Sequence, residues 1–160
     1  MNGEEIDTIL KKAIGPKYVG VFASDEIQPM LSGYCNREYP FCFIANTHSS
    51  SEPGEHWVAF YVIDNDTLEF FDSYGQHPHV YFPHLHFVSQ SIYPLTLHYN
   101  NKKLQQLNSS VCGHYCLYYL YLRVLMHKSL ISIVNSLSAL HNPHPDQSVK
   151  SFFIRVFEKK

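Results

Sequence analysis

Two apolar runs joined by a short polar stretch constrain the fold of this chain more than any other feature. The first run, HWVAFYVI, begins at His56, and the second, LEFFDSYG, ends at Gly75. The first run is apolar on both faces, which is typical of a strand inside a sheet that is covered on both sides. Residues 64–67, DNDT, have the composition of a turn, so the two runs are predicted to pair as an antiparallel hairpin.

This hairpin brings two polar side chains together. When antiparallel strands are joined by a turn near Asn65, residue 56 lies close to residue 72 or 73, within one residue of register. His56 and Asp72 are therefore predicted to lie beside each other at the open end of the hairpin. A histidine next to a carboxylate is the arrangement of a general base and the acid that orients it.

A cysteine that precedes a long apolar run is the candidate nucleophile. Cys112 comes just before residues 113–127, which are apolar nearly all round and predict a helix buried centrally in the domain. The unpaired amides and the positive end of such a helix favour the thiolate, which is the nucleophilic form. Gly113 leaves room for a substrate. The Cys112 N–H and either Gln105 or Gln106 can donate to an oxyanion.

The rest of the pattern predicts further helices, strands and loops. Helices are predicted for residues 4–14, 130–140 and 146–157, and a buried strand for residues 41–46. Loops are predicted for residues 23–40, 47–55 and 76–83, whereas residues 86–100 fit a helix or a strand. The expected fold class is α+β, with a central mixed or antiparallel sheet flanked by helices, in a single domain spanning residues 1–160.

Composition argues against several classes of partner. The formal net charge is −2, so no basic excess indicates nucleic acid. No apolar stretch reaches the roughly 18 residues of a membrane span. The polar start, MNGEEIDTILKK, lacks the apolar region of a signal peptide. Four cysteines without such a signal indicate a reducing intracellular compartment and free thiols.

The other cysteines have structural interpretations. Cys116, four residues after Cys112 on the predicted helix, is expected to be a core residue. Helix geometry disfavours a disulfide between these two cysteines. Cys35 and Cys42 are seven residues apart and do not supply the second tight pair that a structural zinc site needs.

Four histidines in one short stretch offer a rival site. Alternation would place His77 and His79 on one face of an extended segment, as metal ligands require, with His84 and His86 following. Nothing in the sequence fixes the four rings around one point, so a solvated loop broken by prolines is the favoured interpretation. The sequence requires no metal and no other cofactor.

Three blocks of the sequence resemble a known protease family. GEHWVAFYV, FFDSYG and QQLNSSVCGHYC look like the signature blocks of the adenovirus-type maturation protease (adenain), which is related to the ubiquitin-like-protein proteases. PFCFIANT and SVKSFFIRVF also resemble that family, so the similarity runs nearly end to end. The resemblance implies a cysteine endopeptidase with its nucleophile at the N-terminus of a buried central helix.

The resemblance also assigns roles to individual residues. It implies that His56 is the general base, that Asp72 orients it and that Cys112 is the nucleophile. The Gln-x-x-Asn-Ser-x-x-Cys-Gly spacing selects Gln105 over Gln106 for the oxyanion hole. The residues implied at the substrate groove are Trp57 beside the histidine, Asn108 and Ser109 on the approach to the thiolate, and Gly113.

The family's biology supplies further expectations. Its members cleave viral precursor proteins during capsid maturation, next to small residues and often Gly, in the virion and the host nucleus. The substrates expected here are precursor proteins of a virus or a virus-like element. An activating peptide is also implied, but no cysteine lies between Cys42 and Cys112 to form the usual disulfide with it. The mildly acidic composition argues against stimulation by DNA and leaves nucleic acid open as a partner.

Two alternatives use the same sequence differently. The FFDSYG block, with Asp72 where adenoviral enzymes often carry Glu, is closer to the ubiquitin-like-protein proteases. It therefore favours an isopeptidase that removes ubiquitin or a ubiquitin-like modifier with the same triad. A protein of another class, a non-catalytic binding module or a metal binder built on the histidine loop, is the second alternative.

Overall fold

A five-stranded mixed sheet with the order β1-β2-β3-β4-β5 forms the centre of the structure, a computed structural model that describes residues 1–32, 38–85 and 96–158. The strands are β1 (Tyr18–Phe22), β2 (Phe41–Asn46), β3 (Trp57–Val62), β4 (Thr67–Phe71) and β5 (Thr96–Tyr99). The two outer pairs, β1–β2 and β4–β5, are parallel, whereas β2–β3 and β3–β4 are antiparallel. Helices flank this sheet, so the predicted α+β class is confirmed.

The helices of the described residues lie before, between and after these strands. They are α1 (Gly3–Ile14), α2 (Ile27–Ser32), α3 (Cys112–Leu120), α4 (Leu130–Ser138) and α5 (Pro145–Phe157). A π-helical turn, Tyr121–Leu125, continues α3. Among the described residues, no helix has the length and apolarity needed to cross a bilayer.

The sheet is buried on both faces, as the apolar composition of the hairpin predicts. Successive side chains of a strand point to opposite faces. Phe60 therefore belongs to one core cluster, with the buried Phe82, while its neighbour Ala59 belongs to the other. The second cluster contains α3, whose Tyr115 and Tyr119 are fully buried. The prediction that α3 runs through the interior is thus confirmed.

The predicted hairpin is present, with β3 and β4 paired in antiparallel register from Ala59 opposite Phe71 to Val62 opposite Leu68. The second strand ends at Phe71 rather than at Gly75 as predicted. The next backbone carbonyl that would face β3, that of Ser73, instead accepts from the N–H groups of Leu104 (2.9 Å) and Gln105 (3.0 Å), and the Asp72 N–H donates to the Asn100 side chain (2.9 Å). The residues after β4 are therefore available to build a site.

Two other predictions need correction. The predicted loop 23–40 contains a short 3₁₀ turn, Ser24–Glu26, and helix α2, because Ile27 and Met30 bury one helical face. The predicted helix 113–127 is α-helical only to Leu120 and then changes to the π-helical turn. The undecided stretch 86–100 contains β5 at residues 96–99, whereas residues 86–95 lie outside the described residues.

Candidate active site

The predicted contact between His56 and Asp72 is present at one end of the sheet. His56 immediately precedes β3, and Asp72 immediately follows β4. Nε2 of His56 lies 2.6 Å from Oδ1 of Asp72, and the two residues are 5% and 0% exposed. A buried pair at this distance makes a strong, charge-assisted hydrogen bond. The imidazole ring is therefore held in one orientation.

Both carboxylate oxygens of Asp72 accept further hydrogen bonds. Oδ1 also accepts from the Tyr74 N–H (3.0 Å), while Oδ2 accepts from the Gln76 N–H (2.9 Å) and the Tyr81 hydroxyl (3.0 Å). Burial and the charge of Asp72 raise the pKa of Tyr81, so its hydroxyl remains a donor. Asn100 fixes the Asp72 backbone by accepting from its N–H (2.9 Å) and donating to its carbonyl (2.6 Å).

Sequence reasoning did not find these supporting residues. The contact with Tyr74 could have been predicted in principle. The side chain of an aspartate at the start of a turn often accepts from the N–H two residues later, which is called an Asx turn. The ring of Tyr74 also packs against His56, with centroids 4.7 Å apart. No sequence pattern predicted the contact with Asn100. This residue lies 28 positions from Asp72 and approaches it through the pairing of β5 with β4.

Cys112 is the first residue of α3 and hydrogen-bonds to His56. Because Nε2 of His56 faces Asp72, Nδ1 is the ring nitrogen left for the sulfur. Val111, at the N-cap, supplies no side-chain cap, so the first amides of α3 remain available. Burial raises the pKa of Cys112, but the hydrogen bonds from His56 and the Trp57 N–H outweigh it and leave the pKa below its ordinary value.

The pKa of His56 is shifted in the opposite direction, above its ordinary value. Burial lowers its pKa, but the hydrogen bond to Asp72 and then the one to Cys112 outweigh burial and raise the pKa to about 9. A raised imidazole pKa and a lowered thiol pKa together favour a thiolate–imidazolium pair near neutral pH. The arrangement can therefore supply a nucleophile and a proton donor at the same time.

Gln105 lies at the same site, 2% exposed, on the segment that leads into α3. Its Nε2 donates to the Ser109 carbonyl (2.6 Å), and its Oε1 accepts from the Ser73 hydroxyl (2.6 Å). An amide nitrogen carries two hydrogens, so one remains for another acceptor. Gln106, by contrast, is exposed and uses its backbone N–H toward Asp146 (3.4 Å).

A cleft of ≈ 920 Å³ opens beside these residues. Its described lining includes the candidate catalytic residues His56, Gln105 and Cys112, and two of the implied groove residues, Trp57 and Ser109.

The other two implied groove residues are placed differently. Asn108 is exposed and is not among the described residues that line the cleft. Gly113 is buried and is also absent from that lining. A Cβ at this position would meet Ile6 and Met1 side-chain atoms at 3.2 Å. A larger residue would therefore press on these two side chains, and the role of Gly113 at the substrate groove stays a prediction.

The remaining thiols have the environment of core residues. Cys116 is buried and its Sγ donates to the Trp57 carbonyl (3.3 Å), as expected for a core residue. Burial raises its pKa well above the ordinary value and raises that of Cys42 to about 12. The thiols of Cys42, Cys112 and Cys116 are all free. Cys35 lies outside the described residues.

The histidine-rich segment shows no metal-binding arrangement in the part of the chain that the structure describes. Nδ1 of His77 accepts from the His79 N–H (3.0 Å), and Nε2 of His84 lies 3.1 Å from the Ser24 carbonyl. Among the described residues, no three His, Cys, Asp or Glu side chains converge on a point where a metal could bind. His86 lies outside them.

Comparison with known proteins gives matches among solved structures only. No protein-family model and no curated protein matches the sequence. The fold is similar to the selenomethionine crystal structure of the ASFV pS273R protease, with a TM-score of 0.57 and 20% identity. That alignment covers 93% of this chain and 66% of the other, so this chain spans just under two thirds of that protein's length. The central domain of the uncharacterized Lpg1148 protein from Legionella pneumophila also aligns, with a TM-score of 0.48, 14% identity and coverage of 84% and 85%.

The similarity to the viral protease concerns the fold. This chain has an α+β fold with a mixed five-stranded sheet flanked by helices, similar to the fold of that protease. The likeness does not single out the adenain-type enzymes to which the sequence blocks point.

Proposed function

We propose that this chain is a cysteine endopeptidase in which Cys112 is the nucleophile, His56 the general base and Asp72 the acid that orients it. The observation that carries the proposal is the cleft in which Cys112, at the start of α3, meets the buried His56–Asp72 pair. A fold similar to that of a protease is consistent with the proposal. Residues 1–160 form the proposed catalytic unit.

The proposed reaction begins with the Cys112 thiolate attacking a backbone carbonyl carbon, whose π electrons move to the oxygen. The second Nε2 hydrogen of Gln105 and the Cys112 N–H stabilise this oxyanion. The imidazolium of His56 donates its proton to the amine as the C–N bond breaks, which leaves a thioester on Cys112. Water, deprotonated by His56, then attacks the thioester and releases the acid and the thiolate.

The substrates come from the sequence resemblance alone. We propose precursor proteins of a virus or a virus-like element, cut next to small residues and often Gly, during capsid maturation in the virion and host nucleus. No cofactor takes part in the proposed steps. An activating peptide would have to bind without the disulfide used by adenoviral enzymes, because the sequence has no cysteine between Cys42 and Cys112.

Thiol labelling tests the proposal directly. The purified chain would be treated with a peptide vinyl sulfone ending in Gly-Gly, and the modified cysteine identified by intact mass and peptide mapping. We expect modification of Cys112 alone, lost in Cys112→Ala and strongly reduced in His56→Ala, because among the cysteines that the structure describes it is the one whose pKa is lowered by a neighbouring histidine. Cys42→Ala is the matched control, since it removes a buried thiol with a raised pKa and should leave the labelling unchanged. Equal, slow labelling of all cysteines would refute the proposal.

The FFDSYG block, with Asp72, favours a second candidate, an isopeptidase acting on ubiquitin or a ubiquitin-like modifier with the same residues. The two differ in the substrate that the cleft accepts and not in chemistry. Fluorogenic modifier substrates, compared with short Gly-Gly peptides of the same leaving group, separate them. A kcat/KM that is higher for the folded modifier by orders of magnitude would favour the isopeptidase.

A further inference from the structure

Ser73, the residue after Asp72, makes three hydrogen bonds to the segment that carries Gln105. Its hydroxyl donates to Gln105 Oε1 (2.6 Å), and its carbonyl accepts from the N–H groups of Leu104 (2.9 Å) and Gln105 (3.0 Å). Ser73 is 1% exposed, so water does not compete for these bonds. They connect the end of β4 to the other half of the candidate active site.

Two partners, the Ser109 carbonyl and the Ser73 hydroxyl, hold the two ends of the Gln105 amide. The oxygen and nitrogen of an amide have nearly the same shape, so their hydrogen-bond partners fix the orientation. The Ser109 carbonyl is only an acceptor, and Nε2 must face it, at 2.6 Å. Oε1 then faces Ser73, whose hydroxyl is the donor that it needs. The second Nε2 hydrogen is left for the cleft.

The backbone around Gln105 is held by other residues. The Tyr115 hydroxyl donates to the Leu104 carbonyl (3.1 Å) and to Asp146 (2.7 Å), and Asp146 also accepts from the Gln106 N–H (3.4 Å). Removing only the Ser73 hydroxyl therefore leaves the path of the chain supported. It removes one of the two hydrogen bonds that hold the last torsion of Gln105, which has a broad intrinsic preference, and leaves only the bond to the Ser109 carbonyl.

We propose that Ser73 is a positioning residue for the oxyanion donor: its hydroxyl holds the Gln105 amide in the orientation that presents an N–H to the developing oxyanion. The inference rests on the proposed protease function. Adjacent residues thus serve the two halves of the site, since Asp72 orients the base and Ser73 orients the oxyanion donor. Oxyanion donors act in the transition state, so the loss of Ser73 should lower kcat and leave KM nearly unchanged.

Kinetics of Ser73→Ala, Gln105→Ala and the double variant test this coupling. Removing an oxyanion donor costs on the order of 10²- to 10³-fold in kcat, and we expect about 10- to 100-fold for Ser73→Ala, since a misoriented donor retains part of its effect. The double variant should be no slower than Gln105→Ala, because Ser73 acts only through that side chain. Ser24→Ala, which removes another buried hydroxyl, is the matched control and should retain full activity. Additive losses in the double variant would overturn the inference.

Two thiol reagents distinguish positioning from general damage. A peptide aldehyde forms a hemithioacetal whose oxygen occupies the oxyanion hole, whereas iodoacetamide alkylates the thiolate without forming an oxyanion. Ser73→Ala should weaken aldehyde inhibition by about the same factor as kcat and leave the alkylation rate of Cys112 unchanged. Equal losses with both reagents, or no loss with either, would overturn the inference. A native chain with neither turnover nor selective Cys112 reactivity would instead refute the proposed function, and this inference with it.

Discussion

Replacing Asp72 by Asn should shift the pH dependence of Cys112 reactivity to higher pH. The substitution keeps the size of the side chain and removes the buried charge 2.6 Å from His56. The pKa of His56 is raised from 6.5 to about 9, and Asp72 makes the largest contribution that raises it. At about 1.4 kcal/mol per pH unit, this difference amounts to about 3 kcal/mol in favour of the imidazolium.

Without the carboxylate, burial dominates and the pKa of His56 should fall toward or below 6.5. The neutral ring no longer stabilises the thiolate, so the pKa of Cys112 should rise. The pH profile of Cys112 alkylation should therefore move to higher pH in the variant. Cys112 reacts slowly below its new pKa and regains its reactivity above it. Losing the roughly 3 kcal/mol that favours the imidazolium would lower the population of the thiolate–imidazolium pair at pH 6 by up to about 100-fold.

The assay is the rate of iodoacetamide alkylation of Cys112 between pH 5 and 10, followed by peptide mapping. We expect the native chain and Asp72→Asn to differ most at pH 6 and the difference to narrow as the pH rises, because the thiol of the variant then ionises without an imidazolium beside it. Asp66→Asn, at the exposed turn of the same hairpin, is the control and should reproduce the native profile. An unshifted profile for Asp72→Asn, or a shift to lower pH, would refute the reasoning.

Two further predictions concern stability. Arg123→Ala should lower the free energy of unfolding, measured by urea denaturation, by about 3–5 kcal/mol. The substitution leaves the buried Glu69 carboxylate without the guanidinium that donates to it at 2.8 and 3.1 Å. A loss below ~1 kcal/mol would contradict this prediction. Gly75→Ala should lower the free energy of unfolding more than Gly15→Ala does. Both glycines have φ near +70°, so both substitutions strain the backbone. An added Cβ would lie 2.6 Å from the Lys102 backbone at Gly75, whereas at Gly15 it would meet nothing within 4 Å. Equal losses would show that the contact with Lys102 is relieved at no cost.

The sequence was sufficient to predict those features that depend on local pattern and strand geometry. The hairpin follows from two apolar runs and a polar turn, and its register brings His56 to Asp72 without any knowledge of the rest of the fold. The start of α3 at Cys112 was likewise visible, because a polar segment precedes a long apolar run. These two features supply the candidate base and nucleophile, whose catalytic roles stay predictions.

The sequence was insufficient to predict those features that depend on packing between distant segments of the chain. Helix α2 lies in a stretch with the composition of a loop, and its formation depends on burying Ile27 and Met30 against the sheet. Asn100 and Tyr81 reach Asp72 from segments whose course is set by tertiary contacts. The contacts of Gly113 with Met1 and Ile6 were not predicted, because these neighbours come from the other end of the chain.

The adjacency of Asp72 and Ser73 makes the candidate active site a reporter of strand alignment. Both residues directly follow β4, so a slip of one residue between β3 and β4 would displace both of them relative to His56 and Gln105. Both the contact with His56 and the contact with Gln105 would then be lost together. A compact chain with a misaligned hairpin would keep an ordinary thiol at position 112. Counting molecules with a fast-reacting Cys112 would thus measure the correctly aligned fraction of a refolded sample.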